Sequence, residues 1–323
     1  MDNNLECFLD INKIPYETNV DLKKKTWIHR GGMCSLFITP INSEQLLRVV
    51  QQLYSTGTEF QLLGHTSNVY ILNTRDIPVV VSTIKCNKYE LVGQEIICEA
   101  GAGVIRMAND MIQQGISGFE YLTGLPGTIG AAICNNSSCK SNSISKLLVK
   151  AEVLLENGEL ITMTPEDMHF AFRTSIFKEK RIRGVIIKAV LRAERGNATE
   201  LLRIAKENNE DRSRRLEGNA KNLGCTVNRC FINGRMPLHY YLSYHLYLTM
   251  LRLVGVNTVT RKKKAKELLC RISGYKEVAP YISDINSIVF VWRDAGADKV
   301  FPLYLEFMKN VYKTDKIEIE IIQ

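Results

Sequence analysis

The segment GFEYLTGLPGTIGAAICNN, residues 118–136, decides how the first part of this chain can fold. Three glycines and a proline fall between Thr123 and Ala132, inside a run that is otherwise mostly apolar. Turns use glycine, but few turns need so many glycines this close together. Because glycine has no Cβ atom, another group can come very near its backbone. We therefore expect something to lie directly against the peptide groups of this segment.

A second loop of similar character precedes it. The stretch LLGHTSN, residues 62–68, also lacks large side chains at its tip. Exposed N–H groups in such loops can form a nest for phosphate oxygens, and Ser67, Asn68 and Thr128 add side-chain donors. Neither loop is a GxGxxG sequence in a βαβ unit, and no GxxxxGK[ST] loop occurs. The pattern therefore argues against a Rossmann fold and against a P-loop.

Apolar periodicity and turn residues predict an α+β fold with many strands in the first 195 residues. EIICEAGAG, residues 95–103, is β-rich, and Asn157-Gly158 is typical of a hairpin turn. The remaining elements that the pattern predicts are helices over 43–56, with Ser43 as N-cap, over 104–115, 198–216 and 238–256, and a half-buried terminal strand over 316–323.

Composition limits the class of protein. A chain of 323 residues should form about two domains, and 45% hydrophobic residues are ordinary for a globular protein. The nine cysteines include no CxxC pair, which favours reduced thiols in a cytoplasm over disulfides or a metal site. The first residues lack the basic and apolar regions of a signal peptide. We therefore expect a cytoplasmic protein without a metal.

The net charge of +8 indicates anionic partners. Much of it lies in RSRR, 212–215, and RKKKAK, 261–266, but no nucleic-acid-binding motif accompanies these runs, so we expect a charged small molecule and no nucleic acid. The segment 238–256 is apolar nearly all round, yet two histidines, Arg252 and Gly255 interrupt it. We expect no membrane span there, but a buried helix or one that binds a protein partner or a second copy.

Four segments carry a resemblance to a known family. HRGGMCSLFITP (29–40), LGHTSN (63–68), GISGFEYLTGLPGTIGAAICNN (115–136) and FAFRTSIFK (170–178) resemble, in order and spacing, motifs of the UDP-N-acetylenolpyruvoylglucosamine reductase family, also called UDP-N-acetylmuramate dehydrogenase. The resemblance runs through most of the first 195 residues, and the last third of the chain diverges from the family.

The resemblance implies an FAD-binding domain of the vanillyl-alcohol-oxidase or PCMH type over residues 1–196. It would consist of two subdomains, about 1–83 and 84–196, followed by an α+β substrate-binding domain over 197–323. FAD would be the cofactor and NADPH the reductant. The residues implied to bind FAD are Gly64, His65, Thr66, Ser67, Asn68, Gly124, Gly127, Thr128, Gly130 and Ala131.

The implied reaction is the reduction of an enolpyruvyl UDP-sugar, which serves peptidoglycan or another surface polysaccharide. Arg173 in FRTS matches the arginine that faces the developing negative charge. Cys225 in NLGCTVNRCF, 222–231, stands where the family has a proton-donating serine, and a thiol can also donate a proton at neutral pH. Glu320 in IEIEI, 317–321, matches a glutamate of the family.

Alternatives remain open because the last third departs from the family. The chain can be a paralogue that acts as a flavin oxidase or dehydrogenase on another nucleotide sugar. It can also be a non-catalytic flavoprotein whose helix at 238–256 mediates an interaction. His65 replaces a glycine of the phosphate loop. The ring can carry covalently attached FAD or face solvent, and the sequence favours a solvent-facing ring. By pattern alone, Cys225 is equally a small buried apolar residue, and Glu320 belongs to a solvated strand face.

Overall fold

The computed structural model describes residues 3–140, 142–217, 220–227 and 236–322. The helices in these ranges are α1 (Asn3–Ile11), α2 (Ser43–Ser55), α3 (Val104–Gln113), α4 (Ile129–Cys134), α5 (Ala198–Ser213), α6 (Leu238–Leu253), α7 (Thr258–Ile272) and α8 (Ala297–Val311). The strands are β1 (Tyr16–Asp21), β2 (Met33–Ile38), β3 (Gln61–Leu63), β4 (Val69–Ile71), β5 (Ile77–Ser82), β6 (Tyr89–Val92), β7 (Glu95–Glu99), β8 (Ile116–Ser117), β9 (Ser138–Cys139), β10 (Asn142–Ser143), β11 (Leu148–Leu155), β12 (Leu160–Met163), β13 (Gly184–Arg192), β14 (Glu194–Arg195) and β15 (Glu320–Ile322).

The chain forms two compact units. The first comprises Met1–Thr26, Gly31–Thr66 and Asn73–Asn209, and the second comprises Trp27–Arg30, Ser67–Leu72 and Glu210–Gln323. Strands and helices occur in both units, which confirms the predicted α+β class. The domain boundary that the sequence predicts after residue 196 stays a prediction.

The first unit contains two larger sheets. One has the order β1-β2-β5-β3, in which β5 pairs in parallel with both β2 and β3. The other has the order β12-β11-β13-β7-β6 and is antiparallel throughout. The predicted Asn157-Gly158 turn joins β11 to β12, and Gly158 has a φ of 84°, a conformation that glycine adopts without strain.

Helix α2 forms where apolar residues recur every three to four positions. Leu46, Val49, Val50 and Leu53 are fully buried on one face. The predicted N-cap Ser43 is wrong, because Asn42 occupies the cap position and its Oδ1 accepts a hydrogen bond from Gln45 N at 2.9 Å. Asparagine and serine cap equally well, so their types alone do not choose between adjacent candidates.

A buried carboxylate links the two sheets of the first unit. Glu99, at the end of β7, accepts a hydrogen bond from Ser43 N in the first turn of α2 at 2.7 Å. Its other oxygen accepts one from Lys88 N at 2.9 Å. A carboxylate is stabilised at a helix N-terminus by the unsatisfied amides and the helix dipole. Glu99 therefore fixes α2, which follows the first sheet's strand β2, against a strand of the second sheet.

The predicted strand over 95–103 is too long. β7 ends at Glu99, and residues 100–103 turn sharply into α3. A Cβ atom on Gly101 would lie 1.7 Å from the carbonyl oxygen of Thr83 and 2.7 Å from that of Cys86. The Gly101 amide donates to Cys86 O at 2.9 Å, so the two backbone segments are in direct contact.

The second unit has an aromatic core around α8. Phe301, Tyr304 and Phe307 of α8 are buried, and they pack with Phe290 and Trp292 from the preceding segment. Strand β15 lies parallel to β4. It covers only Glu320–Ile322, so it is shorter than the strand that the sequence predicts over 316–323. Ile317 adds only an isolated bridge to Val227. The predicted helix over 238–256 ends at Leu253, two residues before Gly255, whose φ is 76°.

We expect Gly101→Ala to lower the free energy of unfolding by about 3 kcal/mol or more, because the added Cβ meets backbone atoms that cannot move aside. Gly103→Ala is the matched control. Its Cβ would lie 3.4 Å from the His65 ring, which is ordinary contact, and its φ of −72° suits alanine. Urea unfolding followed by circular dichroism measures both variants, and equal losses of stability would contradict the steric argument.

Candidate functional site

Helices α3 and α4 begin side by side in the first unit. Gly103 caps α3 and Thr128 caps α4, and these two residues form an antiparallel bridge. Val104 N donates to Gly127 O at 3.0 Å, and Ile129 N donates to Ala102 O at 2.9 Å. The glycine-rich segment therefore lies backbone to backbone against the turn that precedes α3.

The first glycine loop closes over this bridge. A Cβ on Gly64 would lie 2.6 Å from Thr128 Oγ1, so the two loops that the sequence singled out are in contact. Thr66 is buried and has a left-handed φ of 54°. The structure thus brings Gly64, His65 and Thr66 together with Gly127 and Thr128.

His65 lies above the start of α3. The residue as a whole is exposed, and the solvent-facing ring that the sequence favours stays a prediction. The ring also hydrogen-bonds to the backbone of Gly127. Partial burial of the ring lowers the pKa of His65, and the bond to Gly127 offsets part of that effect.

Part of the glycine content has a structural cause. A Cβ on Gly130 would lie 3.1 Å from the Ala100 Cβ, and Gly130 N donates to Ala100 O at 2.8 Å. The amide of Ala131 donates to the Thr128 hydroxyl at 3.5 Å. Gly130 is therefore required because the backbone of Ala100 lies directly against it. Part of the predicted close contact is thus made by the protein itself. Gly127, with a φ of 140°, needs glycine for its backbone conformation.

Ser67 and Asn68 belong to the second unit. The Asn68 side chain donates to Glu318 O at 3.1 Å, and Asn68 O accepts from Glu320 N at 2.8 Å. Asn68 therefore holds the start of β15, a structural role that the loop sequence did not predict. Gly124 lies in the turn after Thr123, whose hydroxyl contacts Asn209 Oδ1 at 3.2 Å.

The Arg173 turn is attached to the end of α4. Ala171 and Thr174 exchange two backbone hydrogen bonds of 3.2 Å, and Arg173 between them has a left-handed φ of 57°. Ser175, fully buried, donates to Cys134 O at 2.6 Å. Asn136 donates to Ala171 O at 2.8 Å. The two most specific family motifs, 115–136 and 170–178, thus meet at this point.

A left-handed conformation costs a residue with a side chain about 1–3 kcal/mol. Arg173 and Asn136, whose φ is 40°, both adopt it. Such strain persists only where neighbouring contacts hold the backbone, and here the Ser175 and Asn136 bonds do so. Strain at an arginine in a fixed turn is typical of a residue positioned for function.

Cys225 lies in the second unit beside a short backbone ladder. Thr226 N donates to Ile288 O and Glu318 N donates to Thr226 O, both at 2.8 Å. Asn286, which is buried, places its Nδ2 4.0 Å from Cys225 Sγ. Burial strongly raises the pKa of the nearby Tyr304 phenol, which therefore stays protonated. Residues 228–231 of the Cys225 motif lie outside the described residues.

Glu320 is exposed on β15, and the buried residue of this stretch is Ile319. Within the second unit, the backbone of Glu318 bonds to Thr226, the residue after Cys225, and the backbone of Glu320 bonds to Asn68. Of the residues predicted to be catalytic, Cys225 and Glu320 thus belong to the second unit, while Arg173 belongs to the first. Their roles stay predictions.

Sequence reasoning missed several residues that build the site. The β-rich pattern predicts that Gly101 and Gly103 belong to a strand, although two glycines directly before a helical pattern also indicate a tight turn. Ser175 and Asn136 gave no signal of their own beyond membership in the motifs. Asn286 lies in the part of the chain that diverges from the family, and the sequence gives no signal for it. In the part of the chain that the structure describes, no group of three or more His, Cys, Asp or Glu residues is arranged to hold a metal ion.

Comparisons with known proteins show which family and which fold the chain resembles. Residues 34–164 match the family model described as FAD binding domain. The chain is 28% identical over 211 residues to the UDP-N-acetylenolpyruvoylglucosamine reductase of Caldanaerobacter subterraneus subsp. tengcongensis, covering 65% of this chain and 69% of the relative. It is 30% identical over 196 residues to that of Bacillus pumilus, covering 60% of this chain and 64% of the relative. The second match is thus less than two thirds of the relative's length.

A solved structure extends the likeness. The crystal structure of UDP-N-acetylenolpyruvylglucosamine reductase (MurB) from Thermus caldophilus matches with a TM-score of 0.66 at 20% identity, covering 96% of this chain and 100% of that chain. At this identity the match shows the fold. The resemblance to this reductase family is therefore confirmed, and the chain carries an FAD-binding domain.

We expect Ser175→Ala to lower the free energy of unfolding by about 1–3 kcal/mol, because the buried Cys134 carbonyl loses its short hydrogen bond. Ser55→Ala is the control. That hydroxyl is exposed and donates to Gln52 O at 2.9 Å, so the expected change is within about 0.5 kcal/mol. Urea unfolding compares them, and a Ser175→Ala protein as stable as the control would refute the anchoring role.

Proposed function

We propose that this protein is an FAD-dependent reductase of an enolpyruvyl UDP-sugar and that NADPH is its reductant. One observation carries the proposal. The turn that presents Arg173 is bonded to the end of α4, and the start of α4 forms the glycine-lined backbone junction with Gly64 and Gly103. One rigid element therefore links a candidate cofactor cradle to a candidate anion-binding arginine. UDP-N-acetylmuramate formation for cell-wall or surface-polysaccharide synthesis would be the outcome.

The residues of the first unit suit an FAD diphosphate. Gly64 and Gly127 keep the loop surface free of side chains, and α3, which is ten residues long, begins at Val104, directly after its cap residue Gly103. Backbone N–H groups at a helix start and in glycine turns bind phosphate oxygens. The neutral His65 ring adds a polar edge without a fixed charge. We infer that residues 64–66, 103, 127 and 128 hold the cofactor's diphosphate.

Arg173 would offset charge on the substrate. FAD, when bound, supplies the hydride that it receives from NADPH, and addition of hydride to the terminal enolpyruvyl carbon leaves negative charge on the α-carbon and its carboxylate. A guanidinium binds a carboxylate through two parallel hydrogen bonds. Such a group, already held in place, stabilises the developing charge without reorganising during the reaction. The strained, anchored turn at Arg173 supplies this preorganisation.

Cys225 would supply the proton that completes the reduction. The α-carbon gains one proton while the terminal carbon gains the hydride, so the double bond becomes single and the charges balance. Gly224, with a φ of 75°, turns the chain before Cys225, and Asn286 contacts its sulfur. We assign Glu320 the supporting role that its match to the family's glutamate suggests, on a strand whose start is fixed by Asn68.

We expect Arg173→Ala to retain FAD but to slow substrate-dependent flavin reoxidation by about 10²–10³-fold, because one charge-stabilising group is lost. Stopped-flow absorbance after anaerobic reduction with NADPH measures the rate with the enolpyruvyl UDP-sugar. Arg181→Ala is the control, since Arg181 is exposed and pairs with Glu179 at 2.7 Å. Unchanged turnover in Arg173→Ala would overturn the assignment.

Flavin absorbance also distinguishes the reductase from a flavin oxidase and from a non-catalytic flavoprotein. Rapid reoxidation by air without any sugar would favour a flavin oxidase, and a colourless purified protein that cannot be loaded with FAD would favour a non-catalytic role.

We expect Cys225→Ser to keep turnover within about tenfold, since a hydroxyl can also donate the proton, and Cys225→Ala to lose about 10²–10⁴-fold. Both replacements remove the sulfur and differ in the hydroxyl group, which can donate a proton, so the pair separates loss of the sulfur from loss of a proton donor. The turnover of both variants is measured as steady-state NADPH oxidation at a saturating concentration of the sugar substrate. Equal activity of Cys225→Ala and Cys225→Ser would exclude Cys225 as the donor.

A further inference from the structure

Helices α6 and α7 form a hairpin with unusual charge. The connection between Leu253 and Thr258 is short, and Arg261 donates to Val256 O within it. From Met236 to Lys266 the sequence contains no aspartate or glutamate. The same stretch carries basic residues at Arg252, Arg261, Lys262, Lys263, Lys264 and Lys266.

Helix α6 exposes several of its leucines, although Leu251 is buried and Tyr241 is 47% exposed. Leu238, Leu246 and Leu253 are 71%, 68% and 83% exposed. Tyr240 and Tyr244, in contrast, pack against the core of the second unit. A surface helix normally turns its most apolar residues toward the core. The exposed leucines therefore contribute little to folding and are available to another apolar surface.

The apolar face continues into the turn and the start of α7. Val254 is 69% exposed and Val259 is 55% exposed. Arg252, Lys262 and Lys264 are exposed in the same part of the hairpin. Within the residues that the structure describes, Lys263 pairs with Asp284 at 3.2 Å and Lys266 is buried against Ser283 O, while Lys262 and Lys264 form no ion pair. Uncompensated positive charge thus adjoins exposed aliphatic side chains.

We propose that the 238–264 hairpin binds the surface of an anionic lipid bilayer, with α6 lying in the plane of the interface. Aliphatic side chains on one face and lysines beside it are the combination that such a surface selects. No helix among the described residues has the length and apolarity to cross a bilayer.

The positive charge and the exposed leucines of the hairpin together favour an anionic bilayer over a second copy of the chain or a nucleic acid. A second copy would bring two hairpins of the same positive sign together, and like charges oppose such an interface. Nucleic acid would neutralise the lysines but would leave the leucines in water. An anionic bilayer offers both the negative headgroups and the apolar layer beneath them.

Vesicle sedimentation tests the proposal with the full chain. We expect binding to vesicles of phosphatidylglycerol and phosphatidylcholine in equal parts, and at least roughly tenfold weaker binding to phosphatidylcholine alone. The double variant Leu246→Gln, Leu253→Gln should lower the partition constant at least about tenfold. The double variant Lys262→Gln, Lys264→Gln should weaken binding to the anionic vesicles only, and added salt should weaken wild-type binding in the same way.

Controls lie on α5 in the first unit. Leu202→Gln, at a leucine that is 50% exposed, and Lys206→Gln, at an exposed lysine, should bind vesicles like the wild type. Circular dichroism checks that every variant is folded. Equal binding to both vesicle types, or equal loss in the hairpin and control variants, would overturn the proposal. A dimer in light scattering that dissociates in Leu246→Gln, Leu253→Gln, without vesicle binding by the wild type, would assign the face to a second copy instead.

Discussion

The first unit depends on backbone segments that touch each other with no side chain between them. Ala100 to Val104 lies against Gly127 to Gly130 through three hydrogen bonds, and Gly101 lies against the carbonyl of Thr83. Thr83 in turn donates from its amide to Leu63 O, at the start of the first glycine loop. Three loops far apart in sequence are therefore fixed relative to one another, and at Gly101 and Gly64 the contact leaves no room for a Cβ atom.

The candidate chemistry of this unit follows from the same contact. Helix α4 starts at the junction and ends at Cys134, where the carbonyl of Cys134 and the side chain of Asn136 hold the turn of Arg173. The turn keeps Arg173 in a left-handed conformation that an isolated peptide would rarely adopt. The position of Arg173 therefore depends on its attachment to α4. A shift of the glycine junction would be transmitted to the guanidinium through one short helix, which makes glycine spacing and arginine placement a single constraint.

Local features of the fold could be predicted from the sequence, and non-local ones could not. The apolar spacing located α2 and α3, and Asn157-Gly158 located a hairpin, because each rests on neighbouring residues. The glycine-rich segment predicted that another group lies close to its backbone, yet nothing in the segment identified Ala100 as the neighbour of Gly130. Likewise Asn68 suggested a phosphate donor, whereas its side chain bonds to Glu318, which is 250 residues away. Contacts over such separations follow from the topology and leave no local pattern.

In the second unit, the residues that stabilise the fold are distinct from the exposed leucines of α6. The cluster around Phe290, Phe301 and Tyr304 closes without the exposed side of α6, and Leu251 is the fully covered leucine of that helix. Tyrosines attach α6 to this core because they bury a ring while tolerating a polar edge. Exposed leucines are costly in water and are not needed for this attachment, so their presence in an acid-free basic hairpin is explained by a surface that covers them.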